Sequence, residues 1–168
     1  SAILRTLGIR LQEQGRFQLL STTFFVAHGN EGGLKGAVSM HLGVRGQPRE
    51  VVRDAIEAHM RRVGDDDDAE VLALTQWLAP DAEASGTGTA EGASDFSPGV
   101  RYLRRLARTR PVLLLLDDLH AGGPHGAALI DYLLFEFGFE PWNCLVVATT
   151  ENRPSPDFVA ALARSAHA

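Results

Sequence analysis

The run Val112-Leu113-Leu114-Leu115-Leu116, closed by Asp117 and Asp118, constrains this chain most. Successive strand side chains point to opposite faces, so five aliphatic residues in a row cannot form a half-exposed strand. A run this short fits a strand buried on both faces, the normal condition in a parallel sheet covered by helices. Carboxylates at the end of a buried strand are expensive to desolvate unless they have a task. In open α/β sheets, ligands bind at the carboxyl ends of the strands. One carboxylate there can hold a Mg2+ ion that keeps several of its waters. A second, one residue on and facing elsewhere, can orient or deprotonate an attacking water. Such positioning and charge neutralisation are most of what a protein contributes to phosphoryl transfer. The plainer alternative is that Asp118 caps the following turn and Asp117 pairs with an arginine.

The remaining patterns alternate between helix and strand. Apolar spacing predicts a helix over residues 2–14, stopped by Gly15. Aromatic and β-branched residues predict a strand over 17–27, and a glycine-rich loop follows at 28–33. Helices are expected over 34–42 and 50–63, with Gly64 ending the second. The acids at 65–68 cap another that runs to Leu78. Residues 80–97 are Ala, Gly, Ser, Thr and acid, and read as a flexible surface loop. Ser97-Pro98 reads as cap and first position of a helix reaching Arg108. After the central strand come a helix over 124–137, a second buried strand over 143–150 and a last helix over 156–166. The expected fold class is α/β, a parallel sheet flanked by helices.

The 168 residues make one domain large enough for a real core. The net charge of −5 argues against a general nucleic-acid binder. The single cysteine, Cys144, excludes an internal disulfide and fits a reducing, cytoplasmic setting. No apolar stretch reaches the length of a membrane span, and no signal peptide is visible. Ser1 and Ala168 both lie in helical patterns, and the expectation is of a segment cut from a longer polypeptide.

Arg110-Pro111 through His120, followed by Pro124, resembles the Walker B segment of AAA/STAND-type signal-transduction ATPases, P-loop proteins fused to bacterial kinases, adenylate cyclases or LuxR-like regulators. The chain departs from the pattern at Ala121, Gly122 and Gly123, where the family has Trp, Ala and Asp. Residues 143–150 resemble the sensor 1 strand, although Glu151 stands where an arginine is expected and leaves Asn152, Arg153 and His120 as sensor candidates. Residues 34–79 resemble the family's helical insertion between strands. Ser1 and the helix after it match the end of a Walker A motif and its following helix. The resemblance thus implies an incomplete P-loop NTPase fold of the ASCE type, truncated at Walker A, with the Walker B strand at 111–118. It implies ATP and Mg2+ as ligands, Asp117 and Ser1 at the metal, Ser1 at the nucleotide, and Asp118 as the group that orients or deprotonates water. It also implies an attached kinase, cyclase or regulator module, and leaves a homo-oligomer open. Two other readings remain. The departures fit a degenerate module that binds nucleotide without hydrolysis, and Asp117 with His120 could serve a different α/β enzyme.

Other signals are weaker. No G-x-x-x-x-G-K occurs in the chain; the loop at 29–36 has Leu34 before Lys35 and Gly36 after it, and reads as a glycine-rich turn. The acids at 65–68 lack the alternation of an EF-hand. Arg101, Arg104, Arg105 and Arg108 share a helical face, expected to be solvated. His28, His41, His59, His125 and His167 lack metal-ligand spacing. Phe135, Phe137, Phe139 and Trp142 are expected to pack the core and the end of the sheet, and Trp77 the helical insertion.

Overall fold

The computed structural model describes residues 2–24, 32–64, 67–81 and 95–151, together with positions 156, 159, 160 and 163. In chain order these form α1 (Ala2–Glu13), β1 (Gln18–Thr23), α2 (Gly33–Leu42), α3 (Arg49–Arg62), α4 (Asp68–Leu78), α5 (Ser97–Thr109), β2 (Val112–Asp117), a 3-10 turn (Leu119–Gly122), α6 (Gly123–Phe139) and β3 (Cys144–Ala148). The three strands form one parallel sheet in the order β1-β2-β3, with Gln18 opposite Val112 and Val112 opposite Cys144. This is an α/β fold with a small sheet flanked by helices.

The central strand shows why its sequence is apolar throughout. Val112, Leu114 and Leu116 face the main core with Leu20 of β1 and with Leu34, Val38, Leu103 and Leu106 of α2 and α5. Leu113 and Leu115 face the other way, onto Leu4 of α1, with Leu7, Leu11 and Leu19 around them. Helices therefore cover both sides of β2, and no position on it can be polar until Asp117. Gly8 lets α1 approach closely, since a Cβ there would stand 3.2 Å from Leu115 Cδ1 and 3.3 Å from Leu19 Cδ2.

The helices α2 to α5 join β1 to β2, and α6 joins β2 to β3, as parallel neighbours require. Asp67 caps α4, its carboxylate accepting from the backbone N–H of Ala69 at 3.0 Å. Gln18, at the start of β1, donates from Nε2 to the carbonyl of Leu106 (3.1 Å) and to Thr109 Oγ1 (2.6 Å). The same carbonyl also accepts from the Arg110 N–H at 3.2 Å and from Thr109 Oγ1 at 2.9 Å, so Gln18 ties the start of β1 to the last turn of α5.

Several expectations need correction. The strand β1 ends at Thr23, with Phe24 irregular and residues 25–31 outside the described residues. Ser97 is the first helical residue of α5, not its cap. The cap position is Phe96, and the N–H of Ser97 is taken by the Asp95 carboxylate at 3.0 Å. On the arginine face of α5 only Arg108 is exposed as expected, and the other three arginines are paired. Arg101 pairs with Glu70 at 2.9 Å, Arg105 with Asp67 and Glu70 at 3.6 Å, and Arg104 with Glu136 at 3.3 Å and with Glu140. These arginines join α5 to α4 and α6. Phe137 and Trp142 stack, with ring centres 4.8 Å apart, and pack against the core as expected. Phe135 and Phe139 do not, being 64% and 83% exposed. The loop expected at 80–97 and the helix expected at 156–166 lie mostly outside the described residues.

Candidate functional site

Asp117 is the last residue of β2 and is half-buried. Its backbone carbonyl accepts from Phe24 N–H at 2.9 Å, which fixes the strand end against the residue following β1. On the other side the chain leaving β3 supplies Thr149. Its hydroxyl donates to Asp117 Oδ1 (2.5 Å) and accepts from the Asp118 N–H (3.1 Å). The Thr149 N–H donates to the carbonyl of Leu116, and the Thr149 carbonyl accepts from Leu119 N–H, both at 2.9 Å. One threonine thus ties the carboxyl ends of β2 and β3 together and holds one oxygen of the Asp117 carboxylate.

Asp118 is exposed and has left the strand. Its backbone is left-handed, φ 55° and ψ 43°, the one such conformation outside glycine among the described residues. Aspartate tolerates this region better than most side chains. Its direction is therefore set by a turn and not, as the sequence implied, by strand alternation. Local strain of this kind gathers at functional sites.

His120 sits in the 3-10 turn, its side chain 18% exposed. Its Nδ1 accepts from the backbone N–H of Glu151 at 3.2 Å, and its Nε2 lies 3.0 Å from Glu151 Oε1. A neutral imidazole protonated on Nε2 satisfies both contacts at once. Glu151, which stands where the resemblance calls for an arginine, is thus the partner of His120.

The departures at Gly122 and Gly123 have a local cause. A Cβ on Gly122 would meet the Phe24 ring at 2.5 Å. Gly123 has φ 50° and ψ −134°, a conformation open in practice only to glycine. Gly126 lies just beyond, where a Cβ would stand 2.6 Å from the Leu119 carbonyl oxygen. At Gly122 and Gly126 packing against Phe24 and Leu119 leaves no room for a larger side chain, whereas Gly123 is constrained by its backbone angles and not by its neighbours.

Two sequence candidates, Asp117 and Asp118, are brought together with His120 close by in sequence and space. Ser1, Asn152 and Arg153 lie outside the described residues. Thr149 and Glu151 were missed as site residues; the signal was available, since both follow directly on the strand that neighbours Asp117. Among the described residues no group of three or more His, Cys, Asp or Glu side chains could hold a metal ion by itself. A carboxylate, a hydroxyl and a nearby second carboxylate are hard oxygen donors. They suit a Mg2+ ion that keeps waters and takes phosphate oxygens, and not a metal held in an all-protein cage. Cys144 is no rival nucleophile, because burial pushes its thiol up to about 12.

Beside this site β3 pairs with β2 alone among the described residues. A cavity of about 310 Å3 opens along β3 and α6, lined by Leu119, Ile130, Leu133, Phe137 and Val146 and reaching Thr149. Leu145 on β3 is 56% exposed. No helix among the described residues is long and apolar enough to cross a membrane. Compared with protein-family models, curated proteins and solved structures, the chain matches none.

Proposed function

We propose that the chain forms the Walker B side of a P-loop ATPase domain, a cytoplasmic nucleotide switch within a signalling protein. One observation carries the reading. Asp117 ends the central strand of a parallel sheet with one carboxylate oxygen held by Thr149, beside an exposed second acid on a strained turn. The resemblance of residues 110–124 to the family's Walker B segment supplies the nucleotide and the attached effector module.

Bound Mg2+ would neutralise charge developing on the phosphates. Asp117 would hold its water shell, the resemblance gives Ser1 as a further ligand, and Thr149 keeps the carboxylate oriented. Asp118 would take or direct the proton of the attacking water, and its exposure leaves it open to solvent. His120, bound to Glu151, would relay the state of this corner to the segment after β3. Apart from Ser1, the phosphate-binding loop would have to be supplied from elsewhere, because no G-x-x-x-x-G-K occurs in residues 1–168. The apolar groove along β3 is compatible with a further strand at that edge.

A specific observation favours a second reading. With Glu151 in the place of the sensor arginine and bound to His120, the site fits a module that binds nucleotide but does not hydrolyse it. The encoded sequence directly before Ser1 tests both against an unrelated enzyme. A G-x-x-x-x-G-K there agrees with the proposal, and any other sequence removes it. The Asp118→Asn variant then separates the two readings, since only the ATPase has hydrolysis to lose.

A further inference from the structure

Three helices bring together polar groups that the strand-end site does not use. His41 is in the last turn of α2, His59 in the last turn of α3, and Tyr102 in α5. The ring centres of His41 and His59 lie 5.5 Å apart, nearly perpendicular at 75°. Tyr102 stands 6.2 Å from His41 and 5.6 Å from His59. Tyr102 is 2% exposed. The two imidazole Nε2 atoms and the phenol oxygen are buried, and none has a hydrogen-bond partner. Leaving such a buried group unsatisfied is costly, so three side by side call for a common partner.

We propose that His41, His59 and Tyr102 form a site for a divalent cation of the Zn2+ class, with two imidazole nitrogens and a phenolate as protein ligands and a water in the fourth position. An ion bound tetrahedrally by two imidazoles at about 2.0–2.1 Å sets their ring centres roughly 5–5.5 Å apart. A phenolate on the same ion puts its ring about 6 Å from each. The observed triangle has these dimensions. Metal binding needs neutral imidazoles, and burial lowers both, His59 to about 4. The backbone of Leu19 beside His41 acts the other way. Burial pushes the Tyr102 phenol up, while the positive charge of Arg62 draws it down. Loss of the phenol proton to solvent on ligation lowers the net positive charge beside Arg62. The backbone of Leu19 places the cluster near the amino ends of the strands, so it is separate from Asp117.

The test is calorimetric titration of the untagged, metal-free protein with Zn2+ in two buffers of different ionisation enthalpy. The expected result is one ion per chain with release of one proton, and visible absorption of a tetrahedral site when Co2+ replaces Zn2+. Tyr102→Phe should abolish the proton release and alter the Co2+ spectrum while keeping the ring packing. The His41→Asn/His59→Asn variant should bind more than about tenfold more weakly, the least loss expected when even outer-shell partners matter this much. Absence of stoichiometric binding by the wild-type protein overturns the proposal, as would unchanged affinity in the double variant. If the double variant does not fold, Tyr102→Phe decides alone: an unchanged proton count rejects the site.

Discussion

At the residue scale, Thr149 is the least obvious part of the strand-end site and the easiest to test. It satisfies a carboxylate oxygen and a backbone N–H of consecutive aspartates. Thr149→Val keeps the shape and removes both bonds. A loss of about 1–2 kcal/mol in urea unfolding is expected, with Thr149→Ser recovering most of it. Gly122→Ala forces a methyl group into the Phe24 ring. Such overpacking should cost about 1–3 kcal/mol, measured the same way. His59 gives a pH signature. Its folded value, lowered to about 4, lies below the unfolded value of 6.5, so the unfolded chain binds the proton more readily. Its contribution to stability is complete above the unfolded value. That contribution should fall away as pH drops from 6.5 towards 4. In His59→Phe the urea midpoint should vary less over that window.

At the element scale, β2 was legible in the sequence because its pattern has one solution. Five aliphatic residues must be covered on both sides, and the structure divides them between the two core clusters. The helices within the described residues were legible from their spacing, within a residue or two of the observed ends. What could not be read was which elements meet. Arg101, Arg104 and Arg105 looked like a solvent face because periodicity reports the face of a helix but not its neighbours. Their partners Glu70, Glu136 and Asp67 stand on α4, α6 and the cap of α4. The same limit hid the His41, His59 and Tyr102 cluster, whose members are far apart in sequence and show no ligand spacing. The direction of Asp118 was also hidden, since an aspartate is compatible with a left-handed turn but equally with an extended strand end. Asp67→Ala removes both the cap of α4 and a pair to Arg105. It should cost about 1 kcal/mol, and the Arg105 part should shrink in high salt.

At the scale of the whole molecule, the two edges that the sheet shows among the described residues are unlike. β1 is packed beside α2, whereas β3 carries an exposed Leu145 and runs beside a groove floored by α6. Phe135 and Phe139 add exposed aromatic surface on the same helix. An unpaired apolar edge invites association. Concentration-dependent self-association of the 168-residue chain is expected in light scattering. It should be reduced in Leu145→Lys and Phe139→Glu, neither of which touches the acids. The isolated chain should also bind ATP weakly, because it has no phosphate loop of its own. Submicromolar affinity in calorimetry would speak against that.

The central claim is that Asp117 and Asp118 form the metal and water side of a nucleotide site. It is tested most directly by Mg2+-dependent ATP hydrolysis in a protein extended by whatever sequence is encoded before Ser1, with Asp118→Asn beside the wild type. The expected result is measurable hydrolysis that falls by about 100-fold or more in the variant, with nucleotide binding retained. Equal hydrolysis in the two proteins would contradict it.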